Sequence, residues 1–175
     1  MKYINLNNSA MKKLKMIFKA SLSIIRKPLI LIYGLMMILS QQVLGQTSPQ
    51  TFTSNGTFTV PAGVTSVTVE CWGAGGRGGT RSSNGVGGGG GGGAYSQSIV
   101  SVTPGQAYTV VVGQGSSSTS AGGDSYFINI TTVMAKGGSS AADNSATGAL
   151  GGLASSSVGT VKFNGGRGAD GVSGT

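Results

Sequence analysis

Directly after a run of alternating β-branched residues, Gly73-Ala74-Gly75-Gly76-Arg77-Gly78 has the G-x-G-x-x-G spacing of a dinucleotide-binding turn. That chemistry needs a helix to begin there and an acidic residue roughly 20 positions on, one for the pyrophosphate and one for the ribose. The continuation runs Thr80-Arg81-Ser82 and then, after Val86, through seven consecutive glycines, Gly87 to Gly93. Each glycine in a helix costs about 1 kcal/mol relative to alanine, so no helix starts here, and no acid stands near position 95. A phosphate-cradling loop fails as well, because glycine is nowhere followed by Lys-Ser or Lys-Thr. Gly165 to Ser173 fits the calcium-binding nonapeptide G-G-x-G-x-D-x-U-x, with Asp170 at its acidic position. Such sites share each ion between stacked turns, so one copy leaves calcium as the lesser reading. Arg77-Gly78 and Arg167-Gly168 are too few to make an RNA-binding arginine–glycine segment.

Ordinary catalysis is short of material. The chain has no histidine, which removes histidine triads and histidine metal sites. Its four carboxylates, Glu70, Asp124, Asp143 and Asp170, are scattered, and no serine stands in a nucleophile elbow. The reading is therefore no enzyme, no cofactor and no metal. The groups suited to contacting another molecule flank the glycine tract: Trp72 and Tyr95 by stacking, Arg77 and Arg81 by charge. A surface glycan or protein is the expected partner of these loop tips. The competing reading has Trp72 and Tyr95 merely closing the ends of the fold. Cys71 is the one cysteine, expected as a buried inert thiol, with pairing to another chain or to residues past Thr175 as the alternative.

The formal charge of +8 would suggest nucleic acid or an anionic membrane, but seven of the twelve basic residues precede Pro28. They are followed by a twelve-residue apolar run, Pro28 to Leu39, and by small residues at Val43 and Gly45. A basic region, a short apolar stretch and a small-residue cut site make a secretory signal peptide over 1–45, cleaved after Gly45, with Met1, Met11 or Met16 as its start. Twelve apolar residues fall short of the roughly 20 needed to span a bilayer, so no stable membrane span remains after cleavage. The rest of the chain keeps five basic and four acidic residues, a net charge of +1, and the electrostatic case for nucleic acid goes with the leader. The expected destination is the cell surface or the medium.

Those candidates must be positioned by strands. After residue 45, valine, threonine and serine dominate, leucine is nearly absent, and no stretch has a helical period, so an all-β domain over 51–175 follows a linker at 46–50. Val64 to Trp72 alternates with period two, Val67, Val69 and Cys71 against Thr68, Glu70 and Trp72. Tyr95 to Val102 and Tyr108 to Val112 are further strands. Thr103-Pro104-Gly105-Gln106 between them is a type II turn, expected to join two antiparallel neighbours. Asn55-Gly56 between Phe52 and Phe58 predicts a type I′ hairpin. Ser125 to Ala135 reads as one bent strand or two short ones, and Val158 to Phe163 as another. Glycine pairs at 122/123, 137/138, 151/152 and 165/166 point to segments returning to one edge. The tract itself is either a disordered linker or an ordered pack. Fixing each residue costs on the order of 1–2 kcal/mol, and packing becomes possible if such segments run side by side as extended three-fold helices.

Phe58 to Gly79, Gly90 to Gly115 and Gly122 to Phe127 resemble, in order, the bacterial and phage glycine-rich domain family. The glycine-rich extracellular part of anaplastic lymphoma kinase-type receptors is more distantly similar. The resemblance implies a small jelly-roll-like β-sandwich with glycine loops stacked as polyglycine helices, found in exported surface proteins, tail fibres and adhesins. No catalytic residues come with it. The signal peptide favours a surface or secreted protein over a phage fibre. Cys71 stands where the family more often has valine, and the chain past Gly138 is poorer in glycine than is usual. The expected function is a structural or adhesive module attached to further domains, with a calcium- or glycan-binding module as the alternative.

Overall fold

The computed structural model describes Lys13, Lys15, Met16, residues 49–82 and residues 85–172. Apart from the helical, exposed Lys13, Lys15 and Met16, the expected leader lies outside the described residues, as do the cleavage site and most of the linker. Among the described residues no helix is long and apolar enough to cross a membrane.

Residues 49–172 build two antiparallel sheets from seven short strands. One sheet has the order β1 (Gly56–Thr59), β4 (Ala107–Val111), β5 (Ser125–Phe127), β6 (Val133–Ala135). The other has β2 (Ser66–Trp72), β3 (Tyr95–Ser101) and β7 (Val161–Phe163). The alternation of β2 is the expected one: Cys71 is buried and Val67 and Val69 half-buried, while Thr68, Glu70 and Trp72 face solvent. Within the four-stranded sheet Phe127 of β5 meets Phe58 of β1 and Tyr108 of β4 at centroid distances of 6.1 and 5.7 Å. Val60, Val102 and Phe127 form one buried cluster; Cys71, Val133 and Ala135 form a second under β2 and β3.

Two expectations are corrected. The Pro104-Gly105 turn exists, with Gly105 at φ +77° and the Gln106 amide donating to the Thr103 carbonyl. It does not join neighbours, however, because β3 and β4 belong to different sheets. The turn is the corner between layers, pinned where the Gly105 amide donates to Val60 and the Val60 amide to Gln106. The Asn55-Gly56 hairpin is absent too. Neither residue has positive φ, and β1 pairs with β4, Phe58 opposite Tyr108. Asn55 instead accepts the Val112 amide at 2.9 Å, and the Phe52 ring lies against Gly56. The Asn-Gly signal was outweighed by the longer apolar pairing that β4 offers. Ser125 to Ala135 resolves into two short paired strands, and Val158 makes only a bridge to Met134 ahead of β7.

Candidate functional site

The outward side chains of the three-stranded sheet come in cross-strand rows. Trp72 pairs with Tyr95, and Tyr95 with Phe163. Their rings lean on one another in sequence, at 5.3 Å between Trp72 and Tyr95 and 5.9 Å between Tyr95 and Phe163. Cross-strand aromatic pairs of this kind stabilise a sheet by a few tenths to about 1 kcal/mol. Here they do so while Trp72 and Phe163 stay 60% and 61% exposed. Isolated exposed apolar residues need no explanation, but three rings in one row on one face do. The next row is polar on two strands: Gln97 donates to the Glu70 carboxylate at 2.8 Å, with Val161 completing it. The Tyr95 phenol is held above its ordinary pKa, by partial desolvation first and then by its Glu70 neighbour. The face therefore offers stacking surface beside a carboxylate–amide pair with unused hydrogen-bonding capacity.

Immediately beyond Trp72 the chain enters the glycine tract, which is ordered over its described residues. The amides of Gly73, Gly76 and Gly79 donate to the carbonyls of Ala94, Gly91 and Gly88 at 2.9, 2.8 and 2.9 Å. Gly138, Ala141 and Asn144 donate in the same way to Ala74, Arg77 and Thr80, and Gly165, Gly168 and Gly171 to Gly152, Ala149 and Ala146. Every ladder advances by three residues, where a strand would advance by two. Three residues per turn with no internal hydrogen bonds is the geometry of an extended three-fold helix. Positive φ is not the reason for glycine here, since the positive-φ glycines are Gly63 and Gly105. Close approach is. A Cβ at Gly93 would overlap the Gly73 carbonyl, and one at Gly91 the Leu150 carbonyl. The glycine pairs all enter this lattice: the Gly122 amide donates to Gly138, and the Gly165 amide to Gly152.

Three of the four carboxylates hold the lattice together. Asp143 accepts from the Thr80 hydroxyl and amide and pairs with Arg77 at 2.7 Å. The Thr80 bonds, and then Arg77, bring its pKa down to about 2. Asp170 accepts the Gly148 amide and pairs with Arg167; those two contacts depress its pKa in that order. Asp124 takes the Gly137 amide and Lys136. The carboxylate of the calcium-like nonapeptide is thus occupied in closing the lattice. Cys71 is buried as expected, and desolvation pushes its thiol up to about 11.

Of the four residues singled out in the sequence, the structure brings Trp72 and Tyr95 together. Arg77 lies in the lattice with its side chain 18% exposed and tied to Asp143, and its amide donates to the Ser140 hydroxyl. Arg81 is exposed beside Ser82, which bonds Asn144. Among the described residues no hydrogen bond or ion pair joins either arginine to the aromatic row. Sequence reading placed Glu70 on the face of Trp72 but not as a binding group, and it missed Phe163 and Gln97 as members of this face. The usable signals were period two, which sets Gln97 on the Tyr95 side of an expected strand, and the place of Phe163 as the last residue of another.

The fold and the lattice together define an all-β, glycine-rich module: an antiparallel two-sheet sandwich capped by polyglycine-type helices. A profile of the glycine-rich domain family matches residues 49–175, and the chain belongs to that family. No curated protein matches it.

Proposed function

We propose that this chain is an exported, non-enzymatic structural and adhesive module of the cell surface, and that it grips surface glycans or proteins through the Trp72–Tyr95–Phe163 row. The observation that carries the reading is a row of three contiguous rings on a rigid sheet, Trp72 and Phe163 exposed on either side of the half-buried Tyr95, beside the Glu70–Gln97 pair. Rings fixed by their neighbours lose little side-chain freedom on binding, which favours them as anchors. Sugar hydroxyls would find both an acceptor and a donor in the adjoining polar row. The non-enzymatic part is supported by chemistry: Asp124, Asp143 and Asp170 are engaged in holding backbone, and Cys71 is a buried, undissociated thiol.

The test is a glycan array and a whole-cell binding assay with the chain from Gln46 onward. Trp72→Ala or Phe163→Ala should weaken retention about tenfold, the loss of an anchor side chain of about 1.4 kcal/mol. Arg81→Ala should leave it unchanged. Retention that is equal in wild type and both ring variants would remove the proposal.

A further inference from the structure

We propose that the flank of the sandwich beside β2 is a docking site for a single extended peptide strand. The two sheets are out of step. The smaller sheet packs mainly β2 over β5 and β6, and β3 over β6, so β1 and β4 lie towards the open edge of β2, where Phe58, Tyr108 and Val110 reach the same apolar cluster as Val67 and Val69. The result is an open cleft of about 720 Å³ along β2 from Val67 to Trp72, floored by Phe58, Val110 and Phe127 and rimmed by Pro49 to Phe52. Ligand sites run to roughly 300–1,000 Å³, so the volume fits a ligand.

The backbone says which kind. Val102 donates to the Thr65 carbonyl and Gly73 to the Ala94 carbonyl, one bond at each end of the β2–β3 ladder. In an antiparallel pair bonded and non-bonded residues alternate. Val67, Val69 and Cys71 therefore bond β3. Ser66, Thr68, Glu70 and Trp72 turn their N–H and C=O groups to the open edge, where no backbone partner stands among the described residues. An acyl chain in the cleft would bury those polar groups unpaired, at a cost of a few kcal/mol each. A peptide strand would pair them while its alternate side chains entered the cleft. A second copy pairing β2 to β2 is ruled out by packing, since its own β5 and β6 would need the space that β1 and β4 of this copy hold. The occupant is thus one strand, apolar at alternate positions. Because Glu70 is the charged residue lining the cleft, the strand carries a basic residue beside it.

The proposal does not rest on the aromatic row's role, although Glu70 and Trp72 border both sites. Its probe is the synthetic peptide Lys-Val-Thr-Val-Lys-Val-Thr-Val-Lys, titrated into the chain from Gln46 onward by calorimetry and followed by amide exchange. Saturable binding that slows exchange at Thr68 and Glu70 is the expected result. Thr68→Pro removes an edge N–H without touching the β3 ladder, and it should weaken binding about tenfold. A peptide N-methylated along its backbone should not bind, a control that stands even if Thr68→Pro fails to fold. No binding, equal binding of the N-methylated peptide, or displacement of the peptide by a fatty acid would each overturn the proposal.

Discussion

Gly91 and Gly166 are chemically identical and structurally opposite. A Cβ on Gly91 would run into the Leu150 carbonyl, and that oxygen cannot retreat without losing the Ser139 amide it accepts at 3.0 Å. Gly166 has nothing within 4 Å of the same position and no positive φ. Gly91→Ala should therefore destabilise the domain by about 1–3 kcal/mol, the usual result of overpacking, because rigid backbone has no rotamer to escape into. Gly166→Ala should be neutral, or stabilising by up to about 1 kcal/mol through the stiffer unfolded chain. Denaturant melts of the two variants settle it. Equal losses at both positions would mean that glycine is kept for flexibility and not for close packing.

Among the elements, the segment 139–144 is held to the tract by a carboxylate whose protonation can be followed. Asp143 has an ordinary pKa of 3.8, lowered in the folded chain to about 2 by Thr80 and then Arg77. A depressed folded pKa contributes stability above the unfolded value and loses it as pH falls through the folded one. The melting temperatures of wild type and Asp143→Asn should therefore differ most above about pH 4 and converge towards pH 2. Asp170, also depressed, keeps some slope in both proteins. A difference that does not change with pH would show that the charge on Asp143 is not what holds the segment. At this scale the sequence was readable in part. The two faces of β2 were legible because burial on one side imposes period two, and the Gly105 turn because its backbone demands glycine. The partner of each strand was not legible: a turn sets a local reversal, whereas pairing is decided by long-range register. That is why β3 and β4 were expected as neighbours and lie in different layers. It is also why Trp72 and Tyr95 were seen on either side of the tract, while Phe163, brought in by β7, was not.

At the scale of the molecule, two periods meet at Trp72. The β2–β3 register, Ser66 opposite Ser101 through Trp72 opposite Tyr95, continues into the lattice as Gly73 opposite Ala94, Gly76 opposite Gly91 and Gly79 opposite Gly88. The sandwich thus sets the phase of the first two glycine segments, and the later ones fall into place against them. Ordering glycine costs more than ordering any other residue, so no segment holds alone. Each is fixed because its neighbours supply acceptors, and order should be gained and lost together with the sheets. Hydrogen exchange separates this from a chain of loose loops. Gly88 and Gly91 donate to Ser145 and Ser139, and Gly89 and Gly92 to Ala169 and Gly166, while Gly90 and Gly93 have no amide acceptor among the described residues. Gly88, Gly89, Gly91 and Gly92 should exchange as slowly as the amides of β2 and β3, with Gly90 and Gly93 faster, a repeat of three along seven identical residues. A linker would exchange evenly and at unstructured rates along the run, and a β-strand would repeat every two residues. Gly91→Ala, measured in the same way, should speed exchange at Gly76 and at Gly152, which lie on different neighbouring segments, because losing one helix of the lattice removes acceptors from both.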